Sequence, residues 1–458
     1  MDTWLTLLPP LLAITLAITT RQAYLSIFAG ILAGSILLND SFLGGVTQSF
    51  DVIADTFSST SAVKSLIFIT MIGAVINVLQ QSGAVHKMIY HLTVQRNLVK
   101  SNRGAQLITF LMGSLMCLEG IGSMMMVGLV GRPLFAQHNI SKAKLAYVAN
   151  STGAPLAWLL PISGAGVFLS SLLAHQVESG VLTGKPMDYI FGAIGYQFYT
   201  LLVLASVPLL ALWNHDFKST RSSIEQEPAL ENQRIQTPIV SAPIVILMLP
   251  LILLLGSIIT ITLVTGNGNL LKGDVGNAIY WSGYISLLGS ALAYRFFDIA
   301  FSQYMNWVLE GFKQILPAVL ILLLAFTLSN IIGQLGSGSY LAGLVSGQFP
   351  PWIVPTMVFI IGMLISFSTG SSGATVSILI PIGVSMAINM GIPIPIMIGA
   401  IISGAVFGDQ NSPISDSVIV ASSAAGCEPV LHFRTQLPFT LLFAGLSIIG
   451  YLIVGSNI

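Results

Sequence analysis

The sequence predicts an all-α polytopic membrane protein of about 10–13 transmembrane segments, since a hydrocarbon core of about 30 Å takes about 20 apolar residues per crossing. Three observations carry that prediction. Hydrophobic residues make up 54% of the 458-residue chain, charged residues only 7%, and mean hydropathy is +0.87. A soluble domain carries about 25% charged residues, so a chain this long with so few charges cannot cover a water-facing surface. Next, the apolar runs are continuous rather than alternating. Lipid leaves the backbone only helices or closed barrels, and the missing alternation removes the barrel. Last, residues 314–407 contain no Lys, Arg, Asp or Glu, and GDQNSPISD (408–416) then gathers two carboxylates, two amides, two serines and a proline.

In chain order, candidate spans fall near 4–20, 23–38, 65–85, 105–131, 145–173, 189–213, 239–264, 276–294, 314–333, 352–390, 393–408 and 435–456. The first lacks a basic start and a small-residue cleavage site, so it reads as a membrane helix rather than a signal peptide. Residues 39–63 carry Asp40, Asp51 and Asp55 and read as an outside loop. Lys87, Arg96, Lys100 and Arg103 mark a cytoplasmic loop by the positive-inside rule, which puts the N-terminus outside. Arg132, Lys142 and Lys144 mark a second cytoplasmic loop, so 105–131 between them reads as a hairpin with Glu119 near its turn. Residues 214–238 form a polar linker between a first membrane half, 1–213, and a second, 239–458. Within 314–408, two or three crossings and a hairpin are expected.

An internal repeat relates the halves. Asn77-x3-Gln81-x-Gly83 matches Asn330-x3-Gln334-x-Gly336. The form [ST]-G-A-x6-P-I occurs at Thr152–Ile162 and again at Ser372–Ile382. Paired matches in the same order fit a transporter built from two repeats, inverted in the membrane, with re-entrant hairpins and broken helices holding substrate at the repeat interface. Both tips are then expected to feed half-helices.

The chemistry concentrates at these positions. Asp409 and Asp416 lie seven residues apart, which is one face of an unbroken helix. Pro413 removes a donor and breaks the helix between them. Asn411, Ser412 and Ser415 and freed carbonyls would join the two carboxylates as oxygen ligands for Na+, a hard cation. Glu119 is a candidate proton carrier or cation ligand in the first half, with a structural hydrogen bond as the other reading. Asn150, Ser151, Thr152 and Gly153 at one tip, and Thr369, Ser371, Ser372 and Gly373 at the other, are candidates for ion or substrate contact. Asn77, Gln81, Asn330 and Gln334 read as structural contacts between helices, and Met124–Met126 as packing. The six histidines (86, 91, 138, 175, 215 and 432) read as loop or span-end surface residues, not metal ligands. Cys117 and Cys427 are not expected to pair. The chain has no GxxxxGK[ST], GxSxG or HExxH motif, no arginine ladder and no TVGYG filter, which argues against an ATP-driven pump, an enzyme or a familiar cation channel.

The segments GDQNSPISDSVIVASSAAG (408–426), VGLVGRPLFAQHNISKAKLAYVANSTGAP (127–155) and GSSGATVSILIPI (370–382) resemble the NhaC family of Na+/H+ antiporters, within the wider ion transporter superfamily. The resemblance implies an inverted-repeat fold with two hairpins and two broken helices, a homodimer, and ion-site roles for Asp409 and Asp416. Two positions depart from the family pattern. Glu119-Gly120-Ile121 stands where the family often has Asp-Asp-Tyr, and Asn150 where it often has Asp. The expected function is a sodium-coupled secondary active transporter of the plasma membrane, most simply a Na+/H+ antiporter with alternating access. The alternative is Na+-coupled symport or exchange of a small amino acid or organic carboxylate. Na+, H+, membrane lipid and a small organic substrate are the expected partners; no cofactor and no nucleic acid are expected.

Overall fold

Lipid offers the backbone no hydrogen-bond partner, so each apolar run has to bond within its own helix. The computed structural model follows that rule and contains no strand among its described residues. It describes residues 4–457 except 21, 40, 84–86, 88–100, 116–119, 214–242, 269–272, 298, 338–339, 341–342, 344–347 and 414. The expectations for Glu119, Cys117, the 214–238 linker and His86, His91 and His215 lie outside the described residues.

The first half runs α1 (Leu8–Thr20), α2 (Ala23–Leu38), α3 (Phe42–Thr56), α4 (Thr60–Gln81), α5 (Asn102–Leu115), α6 (Gly120–Gln137), α7 (Lys142–Leu159), α8 (Gly164–Glu178), α9 (Pro186–Ile194) and α10 (Phe198–Trp213). The second runs α11 (Leu249–Thr265), α12 (Val275–Arg295), α13 (Phe301–Leu335), α14 (Val354–Thr369), α15 (Ser372–Met390), α16 (Ile394–Asn411), α17 (Asp416–Ala425) and α18 (Pro429–Gly455). Among the described residues, six helical stretches are long and apolar enough to cross a membrane, seven if α9 and α10, bent by 51°, form one span. The chain is an integral membrane protein.

Several expectations need correction. Residues 42–56 are not a loop: α3 buries Gly45, Ser49, Val52 and Thr56 along one stripe and keeps Asp51 and Asp55 exposed. Small and polar residues fill that stripe, so it gives no hydrophobic signal. The 145–173 span is interrupted at 160–163, where Pro161 contributes no donor and the Ser163 hydroxyl caps α8 by accepting from Gly166 N at 2.9 Å. α5 and α6 pack against each other, as the hairpin reading requires.

The two N-x3-Q-x-G matches share one local structure. α4 and α13 both run out into glycines with left-handed backbone, Gly83 (φ +74) and Gly336 (φ +68). The helices pack antiparallel, with Gly73 against Gly311; a β-carbon on Gly73 would lie 2.8 Å from Gly311 O. Asn77 Nδ2 donates to Trp307 O at 2.6 Å, and the His175 ring bonds Asn330 Oδ1 at 2.7 Å. Both asparagines are thus structural contacts, whereas Gln81 and Gln334 are exposed. His175 and His432 are buried rather than at the surface.

Two cores position the site. α14 lies along α16, and this close approach rests on Gly404 and Gly408, where a methyl would overlap Phe359 O and Phe367 N respectively. The larger core joins them to α4, α8, α10 and α15 through Phe68, Leu169, Tyr199, Phe359, Ile380 and Ile401. In the second core, α6 and α7 of the first half surround α17 of the second, with Val127, Leu145 and Ala421 fully buried or nearly so. Arg132 of α6 donates from Nε to Ala424 O at 2.6 Å and also reaches Ser423 O, tying α6 to the last carbonyls of α17.

Candidate ion-binding site

Pro413 does what the sequence predicts. α16 stops at Asn411, Ser412 turns extended, and α17 begins at Asp416 with Ser415 as its cap, accepting from Ser417 N at 3.1 Å. The chain thus breaks at 412–415 beside Asp409, which is only 8% exposed. A second break meets it. Gly370 (φ +66) ends α14, and Ser371 caps α15 by accepting from Ala374 N at 3.2 Å. The first turn of α15 then presents Ser372.

Asp409 is held by three hydroxyls from these two breaks. Ser372 Oγ donates to Oδ2 at 2.7 Å, and Ser415 Oγ and Ser417 Oγ both donate to Oδ1. Among the described residues, no basic side chain is a partner of Asp409. Two helix N-termini, those of α15 and α17, supply the favourable dipole instead. Trp158 Nε1 on α7 donates to Ser372 Oγ at 3.0 Å, so the first half positions the second half's ligand. No group of three or more His, Cys, Asp or Glu suited to a metal ion occurs among the described residues. One carboxylate with hydroxyls is chemistry for a hard monovalent cation or a proton.

Behind Asp409 a buried polar cluster joins α7, α10, α16 and α18. Gln410 Nε2 donates to Ser151 Oγ at 3.0 Å, and Tyr199 OH donates to Gln410 Oε1 at 2.7 Å. Asn411 Nδ2 donates to Phe407 O at 2.8 Å and to Tyr199 OH at 3.3 Å, and Thr440 Oγ1 donates to Asn411 Oδ1 at 2.5 Å. Asn150 Nδ2 faces Gln410 O at 3.1 Å, His432 Nε2 at 3.2 Å and Gln436 Oε1 at 3.2 Å. Gln436 Nε2 donates to Gln410 O at 2.6 Å.

The structure therefore sorts the predicted residues. Asp409, Ser415 and Ser372 come together. Asp416 does not: it is exposed in the first turn of α17, because the break removes the helical register that would have aligned it with Asp409. Ser412 is buried with its hydroxyl unpartnered, and Asn411 turns to Tyr199 and Thr440. Ser371 and Thr369 shape the tip locally, Thr369 Oγ1 accepting from Ser371 N at 3.3 Å, and Gly373 has open space where a side chain would be. The first-half motif is no tip. Asn150–Gly153 lie inside α7, Thr152 Oγ1 bonds back to Val148 O at 2.7 Å, and Gly153 packs on Met124. Asn150 and Ser151 belong to the polar cluster, apart from Asp409. Sequence reasoning missed Ser417, Trp158, Tyr199 and the stripe His432, Gln436, Thr440. The last had a signal, because polar residues four apart on an apolar helix share a face.

The sequence pattern of the Na+/H+ antiporter family matches residues 180–456. An uncharacterised Haemophilus influenzae protein is 28% identical over 98% of this chain and 90% of its own length. The malate-2H(+)/Na(+)-lactate antiporter of Bacillus subtilis is 33% identical over 190 residues, 40% of this chain and 39% of that protein. The Na(+)/H(+) antiporter NhaC of Alkalihalophilus pseudofirmus is 27% identical over 176 residues, 38% of this chain and 37% of that one. In fold the chain is similar to the crystal structure of the Alcanivorax borkumensis YdaH transporter, with a TM-score of 0.63 at 16% identity, covering 90% of this chain and 89% of that one.

Proposed function

The chain belongs to the Na+/H+ antiporter family, and on that premise we propose that it exchanges Na+ for H+ across the membrane, with Asp409 as the group both ions share. The observation that carries this is the buried carboxylate whose partners are hydroxyls and no cation. A buried charge has to be paired or neutralised. With no basic partner, Asp409 has two ways to be neutral: a proton on the carboxyl, or Na+ beside it. Those two states exclude one another, and that exclusion is the coupling. Serine hydroxyls suit both, because each can donate to a bare carboxylate or turn a lone pair to Na+. The helix breaks offer a place where the chain can move for alternating access.

Purified protein in sealed vesicles carrying a pH probe tests the reading. An imposed Na+ gradient is expected to drive proton movement without organic solute, and Asp409→Asn is expected to abolish it. Undiminished exchange by Asp409→Asn would remove the carboxylate from the mechanism.

The second reading, Na+-coupled exchange of a small organic carboxylate, is favoured by the similarity to the malate/lactate antiporter. It predicts no proton movement until a carboxylate such as lactate or malate is added, and sodium-dependent uptake of the labelled acid.

A further inference from the structure

Two of the three hydroxyls on Asp409 orient one another. Ser415 Oγ lies 2.8 Å from Ser417 Oγ and accepts from Ser417 N at 3.1 Å. Ser372 takes its orienting contact from a distant part of the chain. Trp158, in the last turn of α7, donates from Nε1 to Ser372 Oγ at 3.0 Å, and Ser372 Oγ donates to Asp409 Oδ2 at 2.7 Å. The indole is buried and stands edge-on to Phe168, with ring centroids 6.3 Å apart and planes at 86°. Its direction is therefore set by packing as well as by the hydrogen bond.

An indole N–H only donates, and a serine hydroxyl has one hydrogen and two lone pairs. The chain from Trp158 through Ser372 to Asp409 thus runs one way. The indole occupies one lone pair of Ser372, the hydrogen goes to the carboxylate, and the second lone pair stays open for Na+ beside Asp409. Hydrogen bonds in series polarise one another, so the indole also makes Ser372 a stronger donor. A donor to a carboxylate favours its charged form.

We propose that Trp158 is a positioning residue for the competition between Na+ and H+ at Asp409: its N–H holds Ser372 as a donor and tilts the carboxylate toward the ionised, Na+-binding form. The transport consequence rests on the exchange reading. The titratable and charged groups on the elements packed against α16 are Lys142, Lys144 and Tyr147 on α7, Asp188 and Tyr189 on α9, Tyr199 on α10, Asp416 on α17, and His432, Arg434 and Tyr451 on α18; α14 and α15 bring none. Asp416 is the one whose charge reaches Asp409, and a change at Trp158 leaves that charge in place. A shift caused by losing the indole N–H is therefore read against a constant electrostatic background.

Replacing Trp158 with benzothienylalanine in the full chain keeps the ring shape and puts sulfur where the N–H was. In sealed vesicles the Na+ concentration for half-maximal exchange is expected to rise about tenfold. The acid limb of exchange is expected to move up by about one pH unit, because Asp409 then holds its proton more firmly. The change falls on the Na+ requirement rather than on the maximal rate. Trp158→Phe, which also lacks a donor, is expected to shift both quantities the same way and carries the test should the analogue chain misfold. In a Ser372→Ala background, neither replacement is expected to shift them further. An unchanged Na+ requirement and acid limb, or a shift of the same size in the Ser372→Ala background, would overturn the proposal. The Na+ dependence of the melting temperature reads binding without transport. If wild-type vesicles move no protons on Na+ alone, the antiport reading fails. A tenfold higher Na+ requirement for stabilising the Trp158 variants would then still support the positioning role, and an equal requirement would overturn it.

Discussion

Three hydroxyl hydrogens are what Asp409 has in place of a positive charge. Hydrogen bonds to an ionised group contribute about 1.5–3 kcal/mol each, and 1.4 kcal/mol is about tenfold in an equilibrium constant. Ser415→Ala and Ser417→Ala are therefore each expected to raise the Na+ concentration for half-maximal exchange about tenfold or more, read from the sodium dependence of proton flux. Ser412→Ala is the contrasting case. Its buried hydroxyl has no partner, so removing it is expected to leave thermal stability unchanged or raised, measured by a melting curve. The pH dependence has a definite sign. Protons compete with Na+ for Asp409, so below its protonation point the apparent Na+ affinity falls about tenfold per pH unit. Asp409 and Ser415 were legible because oxygen-bearing residues in an apolar stretch stand out. Ser417 was not, since a serine just inside a helix reads as ordinary surface or back-bonding.

At the scale of elements, the site exists because two helices break at the same place. Pro413 and Gly370 announce those breaks in the sequence, one by removing a donor and the other by its left-handed backbone. Asp416 was expected beside Asp409 even with the helix broken at Pro413; the break instead leaves it exposed in the first turn of α17. The first-half motif misled for a related reason: Thr152-Gly-Ala copies Ser372-Gly-Ala in residues, but no helix stops before it, so it remains inside α7. Gly408 tests the packing that brings the breaks together. Gly408→Ala would push α14 off α16, and overpacking of that kind costs about 1–3 kcal/mol. A lowered melting temperature and weakened exchange are expected. Gly373→Ala meets nothing within 4 Å and is expected to fold and transport like the wild type, read from its melting curve and its proton flux.

Helices far apart in the chain interlock. α17 of the second half is seated among α6 and α7 of the first, and Trp158 of the first half holds Ser372 of the second. Composition was enough to read a helical membrane protein, because so few charges leave no other solution. The N-x3-Q-x-G match marked two helices, α4 and α13, that both run out into left-handed glycines; that they pack on one another was not in the sequence reading. The seating of α17 was not legible, because it depends on contacts between residues about 300 positions apart in sequence, such as Arg132 with Ala424. Trp158 of α7 reaches Asp409 only at one remove, through Ser372. The direct test is the number of protons released when Na+ binds to the purified chain in weak buffer. The account predicts at least one proton per Na+ from the wild type at a pH where Asp409 is protonated, with neither Na+ binding nor proton release from Asp409→Asn. Sodium binding by Asp409→Asn with undiminished proton release would contradict it.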